Sequence, residues 1–285
     1  MTKINNRTVG FCEQYITLNA NGRQALELID FLCCDLKRGE GALSRTSYDV
    51  RVGSGKPAFE LIHDGKTLYG GECQYELAYA VINEIIHQSV VDNSLGFAIH
   101  AAALGTKNGG ILLPGKSGSG KSTLSAWLVA SGCTYLTDEL VVLNEDGSRI
   151  VPFTRPFSFK AGSRAVLESF ADFEGEGKVA GAKGFMLPHR LLSKLFCPSA
   201  PPLSLVLFPE YRAGAVTELK EISGAEGCAR ILECYVNARN FESHGIQRLA
   251  KLTRAVPFFQ LTYGDFSSIL TLLQDAFPMF FTQKS

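Results

Sequence analysis

Gly110-Ile-Leu-Leu-Pro-Gly-Lys-Ser-Gly-Ser-Gly-Lys-Ser-Thr-Leu-Ser-Ala-Trp-Leu-Val-Ala-Ser-Gly132 is the stretch around which this chain is best read. Gly115, Gly120, Lys121 and Ser122 occupy the four fixed positions of G-x-x-x-x-G-K-[ST], a phosphate-binding loop. Ile111 to Leu113 form a short apolar run suited to a buried strand, and Ser122 to Ala130 read as a helix that stops at Gly132. Gly115, Gly118 and Gly120 admit backbone angles barred to other residues and carry no Cβ, so the amides of the loop, Lys116, Ser117, Ser119 and Thr123 among them, can close around phosphate oxygens. The helix N-terminus adds about half a positive charge. Lys121 is expected to reach the β- and γ-phosphates, and the Ser122 hydroxyl to bind Mg²⁺.

Upstream, Phe97 to Leu104 is strand-like and Gly105 to Gly110 is a turn, so the two strands read as a hairpin. A turn centred between Lys107 and Asn108 sets a register in which His100 stands level with Gly115, at the mouth of the loop. Downstream, Cys133 to Thr137 is a second apolar strand ending in Asp138-Glu139, where a Mg²⁺ ligand belongs. Two adjacent carboxylates permit two tasks, one holding metal and one accepting a proton from a substrate hydroxyl. Side chains alternate along a strand, so both serve one site only if the chain turns there.

Beyond the acids, Leu140 to Leu143 and Ile150 to Phe153 read as another hairpin, followed by Arg155 and Lys160 as candidate phosphate contacts. Glu174 to Gly184, with four glycines and two lysines, reads either as a lid or as a surface loop. Leu203 to Phe208 is a buried-strand run, Ala225 to Val236 and Gly245 to Ala255 are helices, Phe258 to Thr262 is a strand, and Asp265 is placed as the cap of a last helix through Phe277.

The N-terminal residues carry no chemical motif. A strand within residues 1 to 20, a helix from Arg23 to Leu36, three short strands (Tyr48 to Val52, Ala58 to His63, Lys66 to Tyr69) and a helix from Tyr75 to Val91 read as a small α+β module. His63-Asp64-Gly65 is a tight-turn sequence. The expected organisation is an N-terminal cap or partner-reading module over 1–94 and a catalytic α/β domain over 95–285.

With 285 residues and 46% hydrophobic content the chain can build a sizeable core. Lys plus Arg equals Asp plus Glu at 28 each, so no overall field recruits nucleic acid or an anionic membrane. No apolar run reaches the ~18 residues of a membrane span. Eight cysteines without a C-x-x-C pair, and no signal peptide, point to a reducing cytoplasm; Cys33-Cys34 reads as core packing.

Ile99-His100, the loop from Gly115 to Ser122, and Leu136-Thr-Asp-Glu139 together resemble the catalytic domain of HPr kinase/phosphorylase. Leu205 to Ala215 and Leu261-Thr-Tyr-Gly-Asp265 resemble the small HPr-kinase-related proteins encoded with peptide-modification systems; the similarity covers roughly residues 96 to 275. The resemblance implies the mixed sheet shared by that family and phosphoenolpyruvate carboxykinase. It implies Asp138 as general base toward a serine hydroxyl, Glu139 at the Mg²⁺ position, and His100 near the γ-phosphate. Glu139 stands where the family has Asp, and the family's glycine-rich segment that helps read HPr is not found, so HPr itself is not the expected acceptor. The expectation is an ATP- and Mg²⁺-dependent kinase acting on a hydroxyl of a peptide, small protein or metabolite, with a homo-oligomer compatible. Its rivals are a nucleotide-responsive binding module without transfer, and a phosphatase or phosphorylase running the chemistry backward.

Overall fold

Two hairpins near the N-terminus are each closed by a pair of residues with left-handed backbone. The computed structural model describes residues 5–39, 41–44, 46–92, 96–172, 179–193 and 199–281. β1 (Asn5–Phe11) and β2 (Gln14–Ala20) meet at Cys12 (φ 50°) and Glu13 (φ 62°). Neither residue is glycine, so this turn lacks a sequence signature, and the strand expected within residues 1 to 20 is two strands. α1 (Arg23–Leu32) buries Ala25, Leu28, Ile29 and Leu32 and stops short of the expected Leu36. Cys33 is buried, its thiol pushed up to about 12 by burial, whereas Cys34 is exposed and is not core. β3 (Lys37–Arg38), β4 (Thr46–Val52), β5 (Phe59–His63) and β6 (Lys66–Gly71) follow, then α2 (Gln74–Val90). The β5–β6 turn is Asp64 (φ 47°) and Gly65 (φ 75°), as its sequence predicts. The six strands form one sheet in the order β3-β1-β2-β4-β5-β6, with only β2 and β4 parallel, and both helices pack on it.

β7 (Phe97–Thr106) and β8 (Gly109–Pro114) form the expected hairpin, Ala101 pairing with Pro114 and Leu104 with Ile111. α3 (Lys121–Ala130), β9 (Thr134–Thr137), β10 (Leu140–Leu143) and β11 (Ile150–Val151) follow. β12 (Phe157–Lys160), a short α4 (Arg164–Glu168), β13 (Val179–Gly181) and β14 (Gly184–Leu187) come next; the three strands form a small antiparallel sheet, β12-β14-β13. The remainder is β15 (Leu203–Tyr211), β16 (Glu218–Ile222), α5 (Gly224–Leu232), α6 (Ile246–Ala255), β17 (Phe258–Tyr263) and α7 (Ile269–Ala276). The large sheet runs β11-β10-β7-β8-β15-β17-β16, with β9 also on β7. β15 is parallel to β8 and to β17 while the other pairs are antiparallel, so the sheet is mixed, as the resemblance implies. Ile99, Leu112, Leu136, Val141, Val206 and Phe258 lie in its buried cluster, each contributing about 1.5–3 kcal/mol through burial.

The chain forms two compact units. One comprises Met1–Asp92 with Thr154–Arg164 and Glu174–Pro188; the other comprises Asn93–Phe153, Ala165–Phe173 and His189–Ser285. In the first, the returning hairpin lies on the start of α2. Lys183 pairs with Glu76 at 2.7 Å, and a Cβ on Gly184 would stand 2.7 Å from the Tyr75 hydroxyl. Nothing local announces the return, because Phe157, Phe159, Phe185 and Met186 read equally well as core of either unit. α7 begins after Ser268, not at Asp265. That carboxylate instead accepts from Ser267 N (2.8 Å) and Oγ (2.6 Å), closing the preceding turn. The domain edge drawn near residue 94, residues 174–178 of the glycine-rich stretch, and Cys197 lie outside the described residues, while 179–184 of that stretch is β13 and the turn to β14. No helix among the described residues is long and apolar enough to cross a membrane.

Candidate functional site

The backbone leaving β8 doubles back before α3 by using two glycines at positive φ, Gly118 (93°) and Gly120 (92°). The loop is fastened from within and from outside. Ser119 N donates to Lys116 O (3.2 Å), Tyr211 N at the end of β15 donates to Ser119 O (3.3 Å), and the Tyr263 hydroxyl at the end of β17 donates to Gly120 O (3.3 Å). A Cβ on Gly115 would stand 2.7 Å from Ser119 Oγ, a buried hydroxyl that has no hydrogen-bond partner among the described residues. Ser122 and Thr123, half-buried, open α3. Ser117 and Lys116 are exposed, and Lys116 Nζ pairs with Glu233 at 2.8 Å.

Beyond Pro114 the place of β8 beside β7 is taken by residues 234–236. His100 N donates to Cys234 O and Val236 N to Ala98 O, both at 2.8 Å. Asn237 pins this segment, its Oδ1 accepting from Ala98 N (2.8 Å) and its Nδ2 donating to Gly96 O (3.0 Å). The substitution frees the loop to leave the sheet without orphaning the edge of β7. Burial raises the Cys234 thiol, opposed by the Gly115 amide and by Lys121.

On the other edge of β7, β9 and β10 run antiparallel to it one after the other, and the chain bends at Asp138-Glu139 between them. That bend is the turn that two adjacent acids need in order to serve one site. Asp138 is 1% exposed, and its Oδ1 accepts a hydrogen bond from the buried Tyr135 hydroxyl at 2.9 Å. It is therefore no surface acid. Tyr135 in turn stacks on the buried His189, ring centroids 5.2 Å apart. Glu139 Oε1 lies 3.4 Å from His100 Nδ1.

Lys121 is buried and its ammonium donates to Gly115 O (2.5 Å), Lys116 O (3.1 Å) and His100 Nε2 (3.3 Å). Since Nε2 accepts, the imidazole proton is assigned to Nδ1, facing Glu139. Burial, the largest influence, lowers the His100 pKa; Glu139 opposes it and Lys121 adds to it. The loop, Lys121, His100 and Glu139 thus form one contiguous line of contacts, and Asp138 is near enough for its charge to act on His100.

No protein-family model matches the chain. No curated protein matches it either. Among solved structures it is similar to the HPr(Ser) kinase/phosphatase from Coxiella burnetii at 12% identity and a TM-score of 0.30, over 62% of this chain and 91% of that one.

Of the residues singled out in the sequence, the second unit brings together Gly115, Gly118, Gly120, Lys121, His100 and Glu139, with Asp138 beside them. Arg155 belongs to the first unit, where its buried guanidinium donates from Nη1 to Pro156 O (3.1 Å). Among the described residues no three His, Cys, Asp or Glu side chains converge as a metal cage. Mg²⁺ asks for less, usually one or two carboxylates completed by water and phosphate oxygens, and the oxygen donors of Ser122 and Glu139 have the hard character it prefers. Sequence reasoning missed Tyr135, Tyr211, Tyr263 and the 234–236 segment. For the two tyrosines at the ends of β15 and β17 a signal was present, since ligands of open α/β sheets lie beyond the carboxyl ends of the parallel strands.

Proposed function

We propose that this protein is an ATP- and Mg²⁺-dependent kinase that transfers the γ-phosphate to a hydroxyl, serine first, of a peptide, small protein or small metabolite. The observation that carries the reading is the line from the loop through Lys121 and His100 to Glu139, with the buried Asp138 oriented beside it by Tyr135.

Lys121 exchanges the carbonyls of Gly115 and Lys116 for phosphate oxygens, and the loop amides with the N-terminus of α3 hold the rest of the anionic charge. Asp138 takes the proton of the acceptor hydroxyl as in-line attack proceeds, a contribution of about 10²–10⁴ in rate for a well-placed base. His100, held between an ammonium and a carboxylate, keeps Lys121 aimed at the loop mouth. Ser122 and Glu139 would hold Mg²⁺, which supplies charge neutralisation on the β- and γ-phosphate oxygens when bound. The acceptor is read by surfaces outside this line.

The test is transfer from γ-labelled ATP to fractionated lysate, with peptides separated from metabolites. Asp138→Asn is expected to lose about 100-fold or more of the transfer rate with ATP binding retained. Lys121→Ala is expected to lose both. Undiminished turnover in the first variant removes Asp138 as base, and undiminished ATP affinity in the second removes the loop as the phosphate site.

A further inference from the structure

The loop has two flanks, and only one of them carries the chemistry. His100, Asp138 and Glu139 all come from β7 and the β9–β10 bend, on one side of β8. A terminal phosphate presented to them leaves the remainder of a nucleotide to exit over the opposite flank, where β15 and β17 run parallel to β8 and end at Tyr211 and Tyr263.

That flank is built as a fixed platform. Tyr211 N donates to Ser119 O, Arg212 N donates to Tyr263 O (2.9 Å), and Ala215 N closes a turn on Arg212 O (3.0 Å). The turn lies flat on Gly264, where a Cβ would stand 2.6 Å from Ala215 O and 2.7 Å from its N. Tyr263 is 1% exposed and its hydroxyl reaches Gly120 O, so the platform and the loop are one piece. On this rigid support the Tyr211 ring leans on Tyr263, centroids 5.7 Å apart and planes at 59°, yet Tyr211 remains 51% exposed. A large aromatic held open beside a phosphate loop, by backbone bonds to that loop, is a ready stacking surface for a planar base.

We propose that Tyr211 stacks the base of the bound nucleotide, so that the nucleoside lies over the β15–β17 end of the loop. This rests on the reading of the 115–122 loop as the phosphate site. Stacking is sequence-tolerant because every base presents a π-face, so the site favours nucleotides over bare polyphosphate and purines over pyrimidines by ring area.

The readout is inside the molecule. Trp127, the one tryptophan of the chain, stacks on Phe266 at 5.4 Å, and Phe266 lies 5.7 Å from Tyr263. Fluorescence titrations of the full chain with ATP and with inorganic triphosphate, each with Mg²⁺, compare wild type, Tyr211→Ala and Tyr211→Phe. Tyr211→Ala is expected to bind ATP about 5- to 100-fold more weakly with triphosphate affinity unchanged, and Tyr211→Phe to keep both affinities. The proposal is overturned if Tyr211→Ala keeps the wild-type preference for ATP over triphosphate, if it weakens both ligands equally, or if wild type shows no such preference. Wild type binding neither ligand overturns the loop reading together with this one. The expected pattern without phosphoryl transfer supports the stacking site while removing the kinase.

Discussion

Gly118→Ala and Gly120→Ala make a paired test of how the loop is held. Both residues have φ near 90°, and a Cβ in left-handed backbone costs about 1–2 kcal/mol. At Gly118 that is the whole effect, because no atom of the described residues lies within 4 Å of the added carbon. At Gly120 the carbon falls inside contact distance of the Tyr263 hydroxyl and 3.2 Å from Tyr211 Cβ. Tyr263 is packed between Tyr211 and Phe266 and cannot swing aside, so overpacking adds about 1–3 kcal/mol. The sum for Gly120→Ala is about 2–5 kcal/mol, against about 1–2 for Gly118→Ala. If the loop yields and the sheet does not, these costs fall on phosphate binding, about 30- to 5,000-fold in ATP affinity against about 5- to 30-fold. Isothermal titration of ATP and urea denaturation of both variants separate the two destinations of the strain. Equal losses in the two variants would refute the account of Tyr263 as the wall behind the loop.

Tyr135→Phe removes the hydroxyl that orients Asp138; on the proposed mechanism transfer falls about 10-fold with ATP affinity unchanged, and an unaltered transfer rate counts against positioning. Asn237→Ala leaves Ala98 N and Gly96 O without their buried partner and is expected to lower unfolding stability by about 2–4 kcal/mol, read by urea denaturation; a loss below about 0.5 kcal/mol would show that this segment does not depend on the side chain. Asp30 is bonded by Arg7 at 2.7 and 2.8 Å, which holds its carboxyl below the ordinary 3.8. A carboxylate depressed on folding stabilises fully above about pH 3.8 and loses that contribution as pH falls through its folded value. With the side chain 38% exposed the term is about 0.5–1 kcal/mol after screening, so wild type should exceed Asp30→Asn by that amount at pH 6 and by less at pH 3; an equal gap at both pH values contradicts the assignment.

The parts legible in the sequence are those whose cause is local. Gly118 and Gly120 announce their backbone, and Asp64-Gly65 announces its turn. The lengths flanking Lys107-Asn108 fix which residue of β7 meets which of β8, and so place His100 at the loop. Cys12-Glu13 adopts the same kind of turn with residues that carry no such mark, which is why β1 and β2 merge in the sequence pattern. Asp265 has the composition of a helix cap, but Ser267 competes for its carboxylate. Tyr135 reads as one more apolar strand residue, and only the bend after Thr137 brings its hydroxyl onto Asp138. Burial hides function in such a residue, since its polar atom is a small part of an apolar body.

The first unit is discontinuous, and this dictates an order of events during synthesis. β12 and the β13–β14 hairpin, which lie against α2 or carry the phenylalanines of the small sheet, emerge only after β7 to β11 have been made. The start of α2 beneath Gly181 and Gly184 therefore stays uncovered until translation has passed residue 188. A fragment cut after residue 92 would carry that bare surface permanently, and would serve poorly as a stand-alone partner-binding reagent.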